Sequence, residues 1–313
     1  MEQIVQEILI ENNIEIPNKI ERCNTGHGNY VFELNYLKRK NIIRINYEGN
    51  LYSQYENFKY WASKLKNIDI PVPNIISIGK YKNYNYIILD YIEGKDLGEV
   101  YTSLTEAQKE NIAKKLIQIQ NKVQEQLLPN NQYGSVYKYN DNTGFDTWKE
   151  YILNSLENSK HNIKKNKIFD EIKVDKLIQL TEKYSEYFKK VEPRAFLDDI
   201  SNKNLIIHNG DISGIIDLDW MGFGDLLYFV GYNNMALLDM EVDTKYIDYM
   251  IQELNLNEFQ KQIVLFYTLV FCVDFMSEKG QTFQDKEIFV DENIVDKMNN
   301  IYDNLINEII RMS

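Results

Sequence analysis

Cysteine, proline and histidine are scarce in this chain of 313 residues, which holds two, five and three of them. Cys23 and Cys272 cannot build a disulfide framework or a cysteine zinc cluster, and His27, His161 and His208 are too scattered to replace one. The chain is therefore expected to be reduced and cytoplasmic. Basic residues are also in deficit, 35 against 47 acidic. The net charge of −12 argues against nucleic-acid binding, which needs a basic surface to displace counterions from phosphates. No apolar run reaches the roughly 20 residues of a membrane span. The longest, IVLFYTLVFCV from Ile263 to Val273, reads as a buried core helix. MEQIVQEILIENN at the start carries acids where a signal peptide carries basic residues, and Ile4, Val5, Ile8 and Leu9 have the spacing of a short amphipathic helix. No export is expected.

What the chain has in quantity is core material: 44% hydrophobic and 13% aromatic residues, enough for two lobes. From about Ile20 to Tyr91 the pattern is strands with one helix. NYVFEL, NIIRIN and YNYIILDYI are β-branched and aromatic runs, while Tyr55, Phe58, Ala62 and Leu65 fall at helical spacing between them. IPVPNI forces an extended entry into the last strand. After a glycine-bearing turn, EGKDLGEV, the chain becomes helical. Ser103 followed three residues later by Glu106 predicts a capping box opening a helix that carries Ile112, Leu116, Ile119, Val123 and Leu127 on one face. Further helices are expected over 146–159, 174–188, 226–238, 246–254, 258–276 and 295–312. NLIIHNGDISGIIDLD interrupts them with two short strands about a polar turn. A strand-rich lobe (1–92), a hinge near 89–94 and a helical lobe (93–313) is the α+β order of the protein-kinase-like fold.

FLDDISNKNLIIHNGDISGIIDLDW, Phe196 to Trp220, carries the chemistry. Phosphoryl transfer from a nucleotide needs a carboxylate to receive or orient the acceptor hydroxyl, and oxygen ligands for magnesium on the phosphates. The kinase arrangement sets a base and an Asn five residues apart on one loop, with an Asp beyond a hairpin. Asp199 and Asn204 have that separation, and Asp217 follows the turn. Any one of these residues alone reads as a turn or cap, and so would the pair Asp198 and Asp199 standing by itself; Asn204 and Asp217 in register turn the reading to a site.

These residues resemble the aminoglycoside phosphotransferase and choline-kinase-like family of small-molecule kinases, whose His-Gly-Asp, Gly-Val-Ile-Asp-Trp and Gly-Asp segments have counterparts in LDDISNKN, SGIIDLDW and GFGD. The resemblance implies that Asp199 is the catalytic base, that Asn204 and Asp217 are the magnesium ligands, and that Asp225 caps the next helix and holds the catalytic loop. It gives Arg44 in IIRIN the place of the phosphate-binding lysine, with Glu56 as its pairing carboxylate, and makes Asp90, Tyr91 and Ile92 the hinge that meets the nucleotide base. Gly26 and Gly28, in CNTGHGNYVFEL, form a turn whose amides can approach phosphates, although two glycines are also an ordinary hairpin turn.

The sequence departs from the family in having Leu197 and Asp198 for His-Gly, and Leu226 and Phe229 for a Pro and an Asp that follow Gly-Asp. Leu197 is expected to pack in place of the His, and Asp198 to face solvent or a cationic substrate. Asp219 reads as a third metal contact or, more simply, a loop cap, and His208 as a solvated turn residue. NGDISG lacks the later oxygens and terminal Glu of a calcium loop. The implied activity is transfer of the γ-phosphate of ATP or GTP, with Mg²⁺, to a hydroxyl of a small acceptor: an aminoglycoside-like or other antibiotic, an amino alcohol or a sugar. Acids on the later helices, in LLDMEVDTKYIDYMIQELN, suit a cationic acceptor but also an exposed acidic face. A resistance role would rest on fold-level analogy. A monomer or weak homodimer is expected, with no nucleic-acid or membrane partner. Two other classes stand beside this: a decayed, kinase-like nucleotide-binding regulator, suggested by the missing His and Gly, and a two-carboxylate hydrolase using Asp199 and Asp217.

Overall fold

The computed structural model describes residues 1–23, 29–47, 52–139, 141–283, 286–287 and 290–312. Its N-terminal part holds α1 (Glu2–Glu11), β1 (Lys19–Cys23), β2 (Tyr30–Asn35), β3 (Lys40–Tyr47), α2 (Tyr52–Lys66), β4 (Ile75–Tyr81) and β5 (Tyr84–Asp90). The strands form one antiparallel sheet in the order β1-β2-β3-β5-β4. Alternation along β3 sends Ile43 and Ile45 to one face and Arg44 to the other. On the first face Val5, Ile8 and Leu9 of α1 close a small core with Phe32, Leu34, Ile43, Ile45, Tyr86 and Ile88. On the second, Tyr55, Phe58, Ala62 and Leu65 of α2 pack with Ile87 and Leu89, at the helical spacing read from the sequence.

The C-terminal part runs β6 (Lys95–Asp96), α3 (Leu97–Val100), a 3₁₀ turn at Tyr101–Ser103, α4 (Glu106–Gln126), β7 (Gly134–Val136), α5 (Trp148–Asn166), α6 (Ile172–Lys183), α7 (Ser185–Phe188) and β8 (Arg194–Phe196). It continues through β9 (Leu205–His208), β10 (Asp211–Ile215), β11 (Met221–Gly224), α8 (Leu226–Asp239), α9 (Lys245–Glu253), α10 (Glu258–Glu278), β12 (Thr282–Phe283), β13 (Lys286–Glu287) and α11 (Glu292–Arg311). The expected antiparallel hairpin is β9–β10. Its turn residues Asn209 and Gly210 both have positive φ, 51° and 78°, as a two-residue hairpin turn of the favoured twist requires. His208 ends β9, paired with Asp211, rather than lying in the turn.

Two expectations shift. The capping box is made by Thr105 and Gln108, two residues after Ser103 and Glu106; Ser103 is in the 3₁₀ turn, its hydroxyl donating to Val100 O. The helix expected over 174–188 divides at Tyr184. α10 is long and apolar enough to cross a membrane by length and composition, but most of its apolar window is buried, and it packs against α5, α8 and α11 as the central core helix. The main core is continuous from α2 into this helical part, with the Trp61 ring 6.0 Å from that of Phe223.

Candidate active site

The hairpin register gathers the ligand candidates. Leu205 opposes Ile215, and Ile216 N donates to Asn204 O at 3.0 Å. Asn204 and Asp217 therefore flank the open end of the β9–β10 hairpin, although 13 positions separate them. Asp217 has φ +63°, a left-handed conformation that strains a residue with a Cβ and that persists where the surroundings impose it. The Asn204 amide Nδ2 donates to Asp199 O at 2.7 Å, tying the base candidate to the same end and turning Oδ1 the other way.

The loop bearing Asp199 is fixed from four directions. Buried Gln120 of α4 brackets Leu197, its Oε1 accepting from Leu197 N at 2.9 Å and its Nε2 donating to Leu197 O at 2.8 Å. Asn233 of α8 donates to Ile200 O at 2.9 Å, and Gly98 N to Asn202 O at 2.7 Å. Ser135 of β7 donates to Asp198 Oδ2 at 2.6 Å. Leu197 is buried, as expected for a packing replacement of the His. Asp198, expected to face solvent or a cationic substrate, is half-buried. Ser135 and the Trp220 indole hold it, and burial pushes its carboxyl up to about 6 against those bonds.

Asp199 itself accepts from Tyr232 of α8 at 3.2 Å. Burial first, then the charges of Asp217, Asp198 and Asp219, raise its proton affinity well above the ordinary carboxylate range, with the Tyr232 bond opposing. Neither Gln120, Ser135 nor Tyr232 carries a sequence signal for this role; their partners lie 77, 63 and 33 residues away.

Arg44 projects from the middle of β3, between Val31 and Ile87. Its guanidinium lies 5.8 and 5.9 Å from the Tyr55 and Phe58 ring centres and reaches Asp219 Oδ2 at 3.0 Å and Asp217 Oδ1 at 3.1 Å. Burial would lower its pKa, but Asp219 and Asp217 outweigh that and raise it. The pairing expected with Glu56 is not formed among the described residues. Asp219, which the sequence left as a metal contact or a loop cap, is the buried carboxylate that receives Arg44.

Gly26 and Gly28 lie outside the described residues. The residue after them, Asn29, is held by a ladder in which Tyr55 Oη and Asn46 Nδ2 donate to its Oδ1 at 3.0 and 3.2 Å and Asn85 Nδ2 donates to Asn46 Oδ1 at 2.9 Å. At the hinge, Asp90 N is taken by Asn74 O, whereas both backbone groups of Ile92 have no hydrogen-bond partner among the described residues. Gly214 of β10 lies against Ile92, where an added Cβ would come within 2.4 Å of its Cδ1. Asp225 caps α8 through Leu227 N, as expected. Its other oxygen accepts from Tyr187 and Tyr267 at 2.7 and 2.8 Å rather than from the catalytic loop.

Among the described residues no three His, Cys, Asp or Glu side chains form a ready metal cage. Magnesium in nucleotide sites needs no such cage, since phosphates and water complete a shell begun by one or two protein oxygens. Asn204 Oδ1 and the 40% exposed carboxylate of Asp217 fit that role, in a site where four interacting aspartates face one arginine.

Residues 19–254 match the phosphotransferase enzyme family. The chain belongs to that family. Comparison with curated protein sequences gives no match. Among solved structures it is similar to aminoglycoside phosphotransferase APH(4)-Ia, with a TM-score of 0.70 at 16% identity over 100% of this chain and 99% of that one. ADP-bound aminoglycoside phosphotransferase APH(2'')-Ib gives 0.66 at 14% identity, covering 96% of each chain. A protein assigned as a fructosamine-3-kinase, from Haemophilus somnus 129PT, gives 0.65 at 14% over 97% and 96%. At these identities the likeness shows the fold, and it is the protein-kinase-like fold expected from the order of elements.

Proposed function

We propose that this phosphotransferase moves the γ-phosphoryl group of ATP or GTP to a hydroxyl of a small molecule. The observation that carries the reading is the convergence of Asp199, Asn204 and Asp217 at the open end of one hairpin, facing Arg44 from the opposite lobe. Asp199 orients the acceptor hydroxyl and receives its proton as that oxygen bonds to the γ-phosphorus. The bond from phosphorus to the β–γ bridging oxygen breaks, and the nucleoside diphosphate leaves. The raised proton affinity of Asp199 suits a base, and Tyr232 keeps its carboxylate aimed. Asn204 and Asp217 would hold magnesium, which supplies charge neutralisation on the phosphates. Arg44 offers the phosphates a planar fork where a lysine would offer a point charge. Ile92 supplies the backbone groups for the base, with residues 1–92 forming the nucleotide lobe and 93–313 the catalytic and acceptor lobe.

The test is nucleoside diphosphate release with ATP and with GTP over a panel of aminoglycosides, macrolides, choline, homoserine and sugars. Asp199→Ala is expected to lower turnover by about 10²–10⁴-fold while nucleotide binding persists. Asp217→Ala is expected to weaken magnesium-dependent nucleotide binding. Undiminished turnover by Asp199→Ala would sink the assignment.

A further inference from the structure

The geometry points to Asp219 as the positioning residue that aims Arg44 at the nucleotide phosphates, the role the sequence assigned to Glu56; this rests on the phosphotransferase reading above. Arg44 is almost wholly buried, and a guanidinium in that setting needs a permanent carboxylate. Two carboxylates are within reach, and they differ in kind. Asp217 is 40% exposed at the open end of the hairpin, where an incoming cation and phosphates compete for it. Asp219 is 3% exposed, with Oδ2 on Arg44 at 3.0 Å, and remains when Asp217 is engaged elsewhere. The rings of Tyr55 and Phe58 confine the guanidinium from the α2 side. The helix thus contributes aromatic walls to Arg44, and the carboxylate comes from the loop between β10 and β11, 175 residues away.

Removing the Asp219 charge leaves Asp217 as Arg44's only acidic partner among those two. The guanidinium then closes on Asp217 and occupies the oxygen that the nucleotide-bound cation needs. Removing the Glu56 charge changes neither contact.

The experiment titrates the full-length chain with a fluorescent ATP analogue and magnesium, without acceptor, so that the unknown acceptor does not enter. Asp219→Asn is expected to weaken binding about tenfold or more, in line with the loss of one partner from a buried charged pair, and Glu56→Gln to change it less than about twofold. A higher magnesium concentration is expected to recover part of the Asp219→Asn loss, because the cation competes with Arg44 for Asp217; loss of fold alone would not respond in this way. Should Asp219→Asn fail to fold, Asp219→Glu replaces it, keeping the charge on a longer arm, with an intermediate loss expected. Wild-type affinity in the folded Asp219 variant overturns the inference, as does a tenfold loss in Glu56→Gln. Absence of binding by the wild-type chain overturns the phosphotransferase reading itself, and this inference with it.

Discussion

Gln120 shows how a single residue holds a catalytic loop without touching the chemistry. Its amide satisfies both backbone groups of Leu197, and in Gln120→Ala both are left buried and unpaired. At about 1–3 kcal/mol for each such group, a loss of about 2–6 kcal/mol in urea denaturation is expected, with turnover falling more than nucleotide affinity because Asp199 is two residues away. Residues at this scale were legible where partners are close in sequence. Asp199, Asn204 and Asp217 lie within one short stretch whose spacing is fixed by a loop and a hairpin. A supporting role for Asp198 and Asp219 was readable, but their partners Ser135 and Arg44 were not, because no local pattern encodes a contact across 63 or 175 positions.

At the scale of elements, long periodic helices and the β9–β10 hairpin were readable, and the shortest strands were not. β7, β8 and β11 have three or four residues each, too few for alternation to mark them, and β11 is buried at every position. The break at Tyr184 is hidden because Val174, Leu177, Thr181, Tyr184 and Phe188 keep helical spacing across it, and the Tyr184 ring packs on Phe266 at 5.1 Å. TEAQ competes with SLTE for the same capping signature, and the true box is the later one. One element carries a testable cost. Asp274 of α10 faces Ser159 of α5, and burial, then Glu278 one turn on, pushes its carboxyl up to about 7. Because the folded state holds this proton more tightly than the unfolded chain, the contribution of Asp274 to stability is fully present below the unfolded value near 3.8 and is lost as pH rises through about 7. Asp274→Asn is expected to match the wild type in melting temperature near pH 4 and to exceed it by a few degrees at pH 8, about 2–4 °C for each kcal/mol recovered. Parallel melting curves across that range would contradict the assignment.

For the whole molecule, the shared core predicts how a ligand is felt. α2 packs the sheet on one side and Phe223 on the other, so that face of the sheet shares the core of the helical part, and only the small α1 core is the N-terminal part's own. An ATP analogue with magnesium at about 100 times its dissociation constant adds about 2.7 kcal/mol. Calorimetry is expected to show one transition moving up by about 5–11 °C; a split transition with only half of it moving would contradict a common core. The order of elements was enough to read two lobes, but not their attachment, which depends on β10. Ile215 N donates to Pro71 O at 2.8 Å and Ser213 Oγ to Glu93 O at 2.7 Å, so this strand is pinned to the chain on both sides of the crossing between lobes. Those two bonds make a fulcrum. Along the β3–β5 ladder, Arg44 stands three residues beyond the pair Asn41–Asp90 at the hinge end, an arm of about 10 Å. A tilt of about 10° swings the tip of such an arm through about 2 Å, enough to open a 3.0 Å contact past the limit of an ion pair. The bond between Arg44 and Asp219 thus works as a protractor, intact only across a narrow range of angles between the lobes.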